Sequence, residues 1–508
     1  MWTRGGAGFR TSGLECPLVA VLCITLRDMQ TARRSFLVGS ALLAGGALAS
    51  GAAGPAAASS AVPRRGLAPA TAAGPMAVSP FNAEAFNDEG LFVLGAAGCG
   101  TAEVGEVLTA FDAINARTGN PATLARGDFD AYVGEFTASA ARLAALAQSS
   151  WHAGQAVTAR YQHLRASNYY TQALFFVLGT SHPAREEAFF GLVNQQFQAA
   201  LAAWTPAPVQ STVGAGRYAM PVYFFRPDDS GAPRPTLIIS NGSDGQNVES
   251  MQFGVVAGLE RGYNVALFEG PGQMSLLFRH KIPFTPSWDQ VISPIVRALA
   301  GRPDVRSDRI ALIGLSFAGM LCARAAARSP GLRAVVLEPA AFDMPRIWDD
   351  PQDIATVRKA QQAPPAVRAK IRREVNAGFI KAWQSFAPEM QFVIHKRSEI
   401  FQPQALEDAR AGRPPSDYFG LLQTILGFEF SADYKAITIP TLLTANVGDT
   451  FFGRQPSEAF DLLTRVPDAD KKLIVFTPAE GAQRHDQPIA PQFAQETIFS
   501  WLATYMMD

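Results

Sequence analysis

The sequence predicts an α/β fold: a mostly parallel β-sheet covered by helices, preceded by a helical domain and interrupted by a helical lid insertion. Three observations carry this. After Pro235, short apolar runs without polar alternation recur, separated by helical stretches; strands buried on both faces read this way, and a helix between successive strands implies parallel pairing. Before that point the apolar spacing is helical. Beyond Phe342, a segment too long for a simple crossover precedes the next apolar run at Thr441.

In chain order, residues 1–28 read as an extension from an upstream start codon, with translation beginning at Met29. Residues 29–58 read as an export signal: Arg33 and Arg34 stand before a weakly hydrophobic Gly/Ala-rich run, and Ala56-Ala57-Ala58 fits an A-x-A cleavage site. The pattern resembles a bacterial twin-arginine signal and implies a periplasmic or extracellular protein. Glycines interrupt the run, so no stable membrane span is expected. An Ala/Pro-rich linker, 59–80, leads to a helical cap domain, 81–205. There Phe136, Ala140, Leu143 and Ala147 recur at helical spacing, as do Val157, Tyr161 and Leu164, and then Phe189, Val193, Phe197, Leu201 and Trp204.

Pro206 and Pro208 close the helical domain and open a second one, 206–508. "VQSTVGAGRYAMPVYFFRP" alternates about a Gly-rich turn and reads as a hairpin. Strands are expected at Thr236–Ser240, Val265–Phe268, Ile310–Ile313, Ala334–Leu337, Thr441–Ala445 and Leu473–Thr477. The polar, Pro-interrupted segment at about 344–435 reads as a lid over the strand ends.

A chain of 508 residues with 48% hydrophobic residues can bury more than one core and hold a cleft between domains. Lys plus Arg and Asp plus Glu are both 44, with no long basic block, so nucleic acid is not an expected partner. Cys16, Cys23, Cys99 and Cys322 form no CxxC pair and no zinc-type spacing with histidine. No metal, cofactor or disulfide framework is expected. The expected partners are a small-molecule substrate and, at most, a second copy of the chain in a homodimer.

In an open parallel sheet, ligands sit at the carboxyl ends of the strands, so the informative residues follow the apolar runs. Ser316 follows "IALIG" and precedes the helical "MLCARAAARS" in a G-x-S-x-A context, the strand–turn–helix that a nucleophilic serine needs. A base and an orienting carboxylate must complete it. His485 follows the last apolar run, just before a C-terminal helix, and Asp449 follows the run before that. The order Ser316, Asp449, His485 is that of Ser–Asp–His hydrolases. Glu338 and Asp343, after the strand that succeeds the elbow, are competing acids. Asp486, next to the base, is poorly placed to swing back to its imidazole. Phe317 N–H, with a donor from Gly242 or Ser243 in "SNGSDGQ", would form an oxyanion hole, and Asp244 is a candidate brace for that loop.

With these residues in hand, the chain resembles a subgroup of α/β hydrolases. The resemblance rests on "ARYQHLRASNYYTQALFF", "NGSDG", "EGPGQ", "GDTFFGRQP" and "EGAQRHDQ" before "IFSWL". The subgroup includes 2,6-dihydroxypseudooxynicotine hydrolase, fungal polyketide-shortening hydrolases and fermentation-respiration switch esterase-like proteins. The resemblance implies an α/β-hydrolase fold with the helical domain packed over the catalytic one. It also implies Ser316 as nucleophile, Asp449 as acid and His485 as base. Ala318 stands where the subgroup commonly has glycine, Met274-Ser275 where it has a Gly–acid pair, and Asp486 where it has cysteine. Arg165, Asn168, Tyr169 and Tyr170 would face the cleft as substrate contacts or serve interdomain packing, and Met274 would lie at the pocket floor. The expected function is a serine hydrolase acting on an ester or related acyl bond. The alternatives are carbon–carbon bond hydrolysis of a β-dicarbonyl or aryl ketone, and a secreted non-catalytic binding protein on the same scaffold.

Overall fold

The computed structural model describes residues 79–348 and 350–507, and among these five α-helices precede the first strand. They are α1 (Glu84–Gly95), α2 (Val104–Thr118), α3 (Arg126–His152), α4 (Ala156–Phe176) and α5 (Glu186–Ala202). Two of them bury the stripes their spacing predicts: Phe136, Ala140, Leu143 and Ala147 on α3, and Phe189, Val193, Phe197 and Leu201 on α5. The third stripe differs. Val157 is 61% and Tyr161 39% exposed, and only Leu164 of that trio is buried. From His163 to Phe176 every residue of α4 but Arg165 and Phe175 is buried, because the helix packs against both α3 and α5. A helix enclosed on all sides has no apolar stripe to read.

The sheet has eight strands: β1 (Val209–Ala215), β2 (Tyr218–Phe225), β3 (Arg234–Ser240), β4 (Asn264–Phe268), β5 (Val305–Leu315), β6 (Ala334–Glu338), β7 (Thr441–Asn446) and β8 (Lys471–Phe476), in the order β1-β2-β4-β3-β5-β6-β7-β8. β1 and β2 form the expected hairpin, β2 runs antiparallel to β4, and the remaining pairs are parallel. β5 is longer than its apolar run: its first half, "VRSDR", is partly exposed and polar.

Successive side chains of a strand point to opposite faces, and here both faces are covered. Leu237, Ile239, Val265, Leu267, Ala311 and Ile313 pack in one apolar cluster with α6 (Val255–Glu260) and with Ile498, Phe499 and Leu502 of a C-terminal helix, Pro491–Met506. Ile238, Ala266, Ile310 and Leu312 pack on the other face. Their partners come from α8 (Asp289–Ala300) and α9 (Phe317–Arg328); the short α7 (Met274–Phe278) precedes them.

Between β6 and β7 lie α10 (Pro351–Gln361), α11 (Pro365–Trp383), α12 (Pro388–Ser398), α13 (Pro403–Arg410), α14 (Tyr418–Ile425) and α15 (Ser431–Ala436); α16 (Gln455–Leu462) follows β7, and the C-terminal helix is α17. The prolines that interrupt this sequence open its first four helices, where a missing N–H costs nothing. The ring of Phe392 of α12 lies 4.9 Å from that of Phe129 and 5.4 Å from that of Phe176, so this insertion and the helical domain share one core.

Among the described residues, Cys99 and Cys322 are free thiols, no group of side chains is arranged to hold a metal, and no helix is long and apolar enough to cross a membrane. The upstream extension, the export signal and nearly all of the linker lie outside the described residues.

Candidate active site

Ser316 sits between β5 and α9 with φ 50° and ψ −121°, a backbone region that costs a non-glycine residue about 1–3 kcal/mol. The turn is held by its neighbours. Ser316 N–H donates to Glu338 O at 2.6 Å, and Gly319 N–H donates to Ser316 O at 2.8 Å. A Cβ on Gly314 would lie 2.4 Å from Ala318 O, and one on Gly319 would lie 2.2 Å from Pro339 O. The turn therefore needs glycine at 314 and 319, and the buried methyl of Ala318 fits between them.

Ser316 Oγ lies 2.9 Å from His485 Nε2, and His485 Nδ1 lies 2.8 Å from Asp449 Oδ2. When the imidazole is neutral with its proton on Nδ1 facing Asp449, Nε2 is free to accept from the serine hydroxyl. Asp449 Oδ1 accepts Phe451 N–H at 2.7 Å and Phe452 N–H at 3.1 Å, which fixes the carboxylate. Burial disfavours its charge, but His485 and these hydrogen bonds outweigh burial and hold Asp449 below the usual carboxylate range. Burial also disfavours the imidazolium; Asp486, Asp449 and Asp88 prevail and raise His485 to about 9. The rings of Phe451 and Phe452 flank the imidazole, each at 5.1 Å. Of the competing acids, Asp343 lies apart, with its backbone amide on Gln455, and Glu338 makes no hydrogen bond with His485.

Gly242 stands against the nucleophile: a Cβ there would lie 2.8 Å from Ser316 Cβ. Its N–H, however, donates to Asn241 Oδ1 at 3.0 Å. Gly242 N–H is thus engaged within the loop, and its missing side chain leaves room beside Ser316. Ser243 Oγ donates to Asp244 Oδ2 at 2.6 Å. Asp244 lies 3.6 Å from the buried Lys396 Nζ of α12. Gln273, the last residue of "EGPGQ", supplies a brace the sequence reading missed: it accepts Gly270 N–H at 3.0 Å and donates to Asn241 O.

The residues expected to contact substrate or to serve interdomain packing make their polar contacts within the helical domain. Arg165 Nε pairs with Glu106 Oε2 at 3.2 Å, Tyr169 hydroxyl donates to the same oxygen at 2.8 Å, and Asn168 Nδ2 donates to Thr101 O at 3.0 Å. They fasten α4 to the first turn of α2 and to the segment that enters it. Tyr170 is buried in the apolar core, and burial pushes its hydroxyl up. Met274 is buried and lines a crevice under α5 with Phe190, Val193 and Phe197, which none of Ser316, Asp449 and His485 borders. Each was read from a helix or turn in the right region, but the spacing did not tell which face is turned to a neighbouring helix.

The helical domain does reach the site, through α1. Arg484, next to the base, pairs with Glu84 at 2.8 Å and with Asp88. A Cβ on Gly95 would lie 1.7 Å from Pro488 O, so α1 rests directly on the histidine loop.

A mostly parallel sheet covered by helices, with a serine at a strand–helix elbow beside a histidine and an aspartate from the turns after the last two strands, is the architecture of the α/β-hydrolase fold. No family model matches the sequence. It is similar to the hydrolyase poxO of Penicillium oxalicum, 30% identical over 280 residues, which are 53% of this chain and 63% of that protein. That match spans just under two thirds of the relative's length. It is also similar to the alpha/beta hydrolase psoB of Aspergillus fumigatus, 28% identical over 452 residues, 83% of this chain and 93% of that one. Among solved structures, 2,6-dihydroxy-pseudo-oxynicotine hydrolase shares the fold with a TM-score of 0.55 at 17% identity, over 81% of this chain and 95% of that one.

Proposed function

We propose that the protein is a serine hydrolase that cleaves an ester or related acyl bond of a small organic substrate. The observation that carries this reading is the unbroken chain from Ser316 Oγ through the imidazole of His485 to Asp449, at 2.9 and 2.8 Å, on a strained elbow. His485 Nε2 takes the serine proton as Oγ attacks the carbonyl carbon, while Asp449 holds the ring with its other nitrogen protonated. Phe317 N–H at the N-terminus of α9 and Ser243 N–H receive the negative oxygen. The imidazolium then protonates the leaving group, and water, activated in the same way, releases the acyl group.

A second reading, carbon–carbon hydrolysis next to a ketone, uses the same groups. An alkoxide departs readily with a proton from His485, whereas a carbanion needs delocalisation into a neighbouring ketone or aromatic ring. No residue at the site reads specifically as a carbanion stabiliser, so the ester comes first. Incubation of purified protein with short acyl esters and with β-diketones, followed by product identification, separates the readings. Ester hydrolysis is expected. Rapid diketone cleavage without esterase activity would reverse the order, and folded protein inert to both would favour a binding protein on a hydrolase scaffold.

A further inference from the structure

Asp486 follows the base directly and has φ 57°, and Gln487 after it has φ 48°. Aspartate and asparagine tolerate this left-handed region better than other side-chain-bearing residues. Its consequence corrects the expectation that Asp486 is poorly placed to swing back to the imidazole: Oδ2 lies 3.6 Å from His485 Nε2, the nitrogen that faces Ser316 Oγ. The carboxylate is 9% exposed, and its Oδ1 has no hydrogen-bond partner among the described residues. Next to it lies Glu338, 1% exposed, with neither carboxyl oxygen hydrogen-bonded among the described residues.

His485 is thus faced by Asp449 from the turn after β7, Asp486 from its own loop, Glu338 from the end of β6 and Asp88 from α1, with Arg484 paired to Asp88 and Glu84. Burial, opposed mainly by His485, raises Asp486 to about 6. Burial and the charge of Asp486 raise Glu338 to about 8. Between those values Asp486 is ionised and Glu338 is neutral.

We infer that Asp486 is a positioning residue for the proposed hydrolysis, holding a second carboxylate against Nε2 so that the imidazolium is braced at both ring nitrogens. The inference rests on the reading of His485 as the base. As the Ser316 Oγ–carbon bond forms, the O–H bond breaks and its proton passes to Nε2. That N–H then faces the Asp486 carboxylate, 3.6 Å away, and the leaving group. Asp486 contributes its charge and takes no proton; the proton goes to the leaving group as its bond to the acyl carbon breaks. The same carboxylate favours protonated His485 before attack, so the free base, and reaction at Ser316, are delayed to more alkaline pH.

Two readouts test this on the intact protein: titration of the His485 imidazole by NMR, and the pH dependence of Ser316 labelling by a fluorophosphonate. Asp486→Asn keeps a side chain suited to the left-handed backbone and removes the charge. The His485 midpoint is expected to fall by about one pH unit or more, with the acid limb of labelling moving in step. Asp486→Gly, which suits the same backbone, must shift the midpoint in the same direction, and serves if the asparagine variant does not fold. An unchanged midpoint in a folded variant overturns the inference. A shifted midpoint in protein that never labels supports the Asp486–His485 pairing and rejects Ser316 as nucleophile, so the two failures are distinct.

Discussion

Replacing Gly242 by alanine places a methyl group where the nucleophile stands. The added Cβ would lie 2.8 Å from Ser316 Cβ, 3.1 Å from Leu315 O and 3.4 Å from Ser316 Oγ. Carbon atoms pack at about 3.5 Å or more, so the two must part by about 0.7 Å. Neither side yields easily. Ser316 is held by its N–H on Glu338 O at 2.6 Å, and the loop is tied by Asn241 Nδ2 to Gln246 O at 3.1 Å and by Gln273 to Asn241 O. A misplacement approaching 1 Å between nucleophile and oxyanion donors costs about 10²-fold in rate, and the crowding itself about 1–3 kcal/mol of stability. The assay is the second-order rate of fluorophosphonate labelling, alongside kcat/KM on an activated ester and the melting temperature. Ala318→Gly is the control: it removes a methyl group that fits and costs about 1 kcal/mol of helix stability, with labelling close to wild type. A folded Gly242→Ala protein that labels at the wild-type rate would refute the steric role given to this glycine.

Further outcomes are expected at other positions. Asp449→Asn should lower kcat by about 10⁴-fold by leaving His485 in the wrong tautomer, while Asp343→Asn leaves it unchanged; the reverse result would move the acid to Asp343. Glu338 binds its proton up to about pH 8 in the folded chain, against an ordinary 4.5. The folded state therefore holds a proton that the unfolded state has released, and stability falls as pH rises through that window, by up to about 1.4 kcal/mol per pH unit. Glu338→Gln should flatten this fall in denaturant titrations, and equal slopes for variant and wild type would exclude the effect. For export, replacing Arg33 and Arg34 by lysine should leave the precursor in the cytoplasm; undiminished export would mean a different route.

What could be read from the sequence follows the range of the interactions involved. The strands were legible because burial on both faces leaves a continuous apolar run, and Ser316, Asp449 and His485 stood out as polar residues placed just after such runs. β5 exceeds its run because an exposed, polar strand start has no apolar signature. Val157 and Tyr161 misled because helical spacing alone cannot distinguish a helix enclosed by two others from one with a single buried face. Arg165, Asn168 and Tyr169 were placed on the correct helix, but their partners Glu106 and Thr101 lie some sixty residues away, beyond what a local pattern encodes. Gly242 was singled out for its size; that its N–H is taken by the preceding side chain depends on one rotamer of Asn241. Asp486 was dismissed on chain distance, because a residue beside the base reaches it only through a positive φ. The tolerance of aspartate for that conformation was the one available signal.

Whether Ser316 is the nucleophile decides the reading of the whole site, and peptide mass spectrometry after exposure to a fluorophosphonate answers it. The wild-type protein should carry one phosphonyl adduct, on the peptide containing Ser316, and the folded Ser316→Ala variant should carry none. An unmodified wild type, or an adduct that persists in the variant, would contradict the assignment.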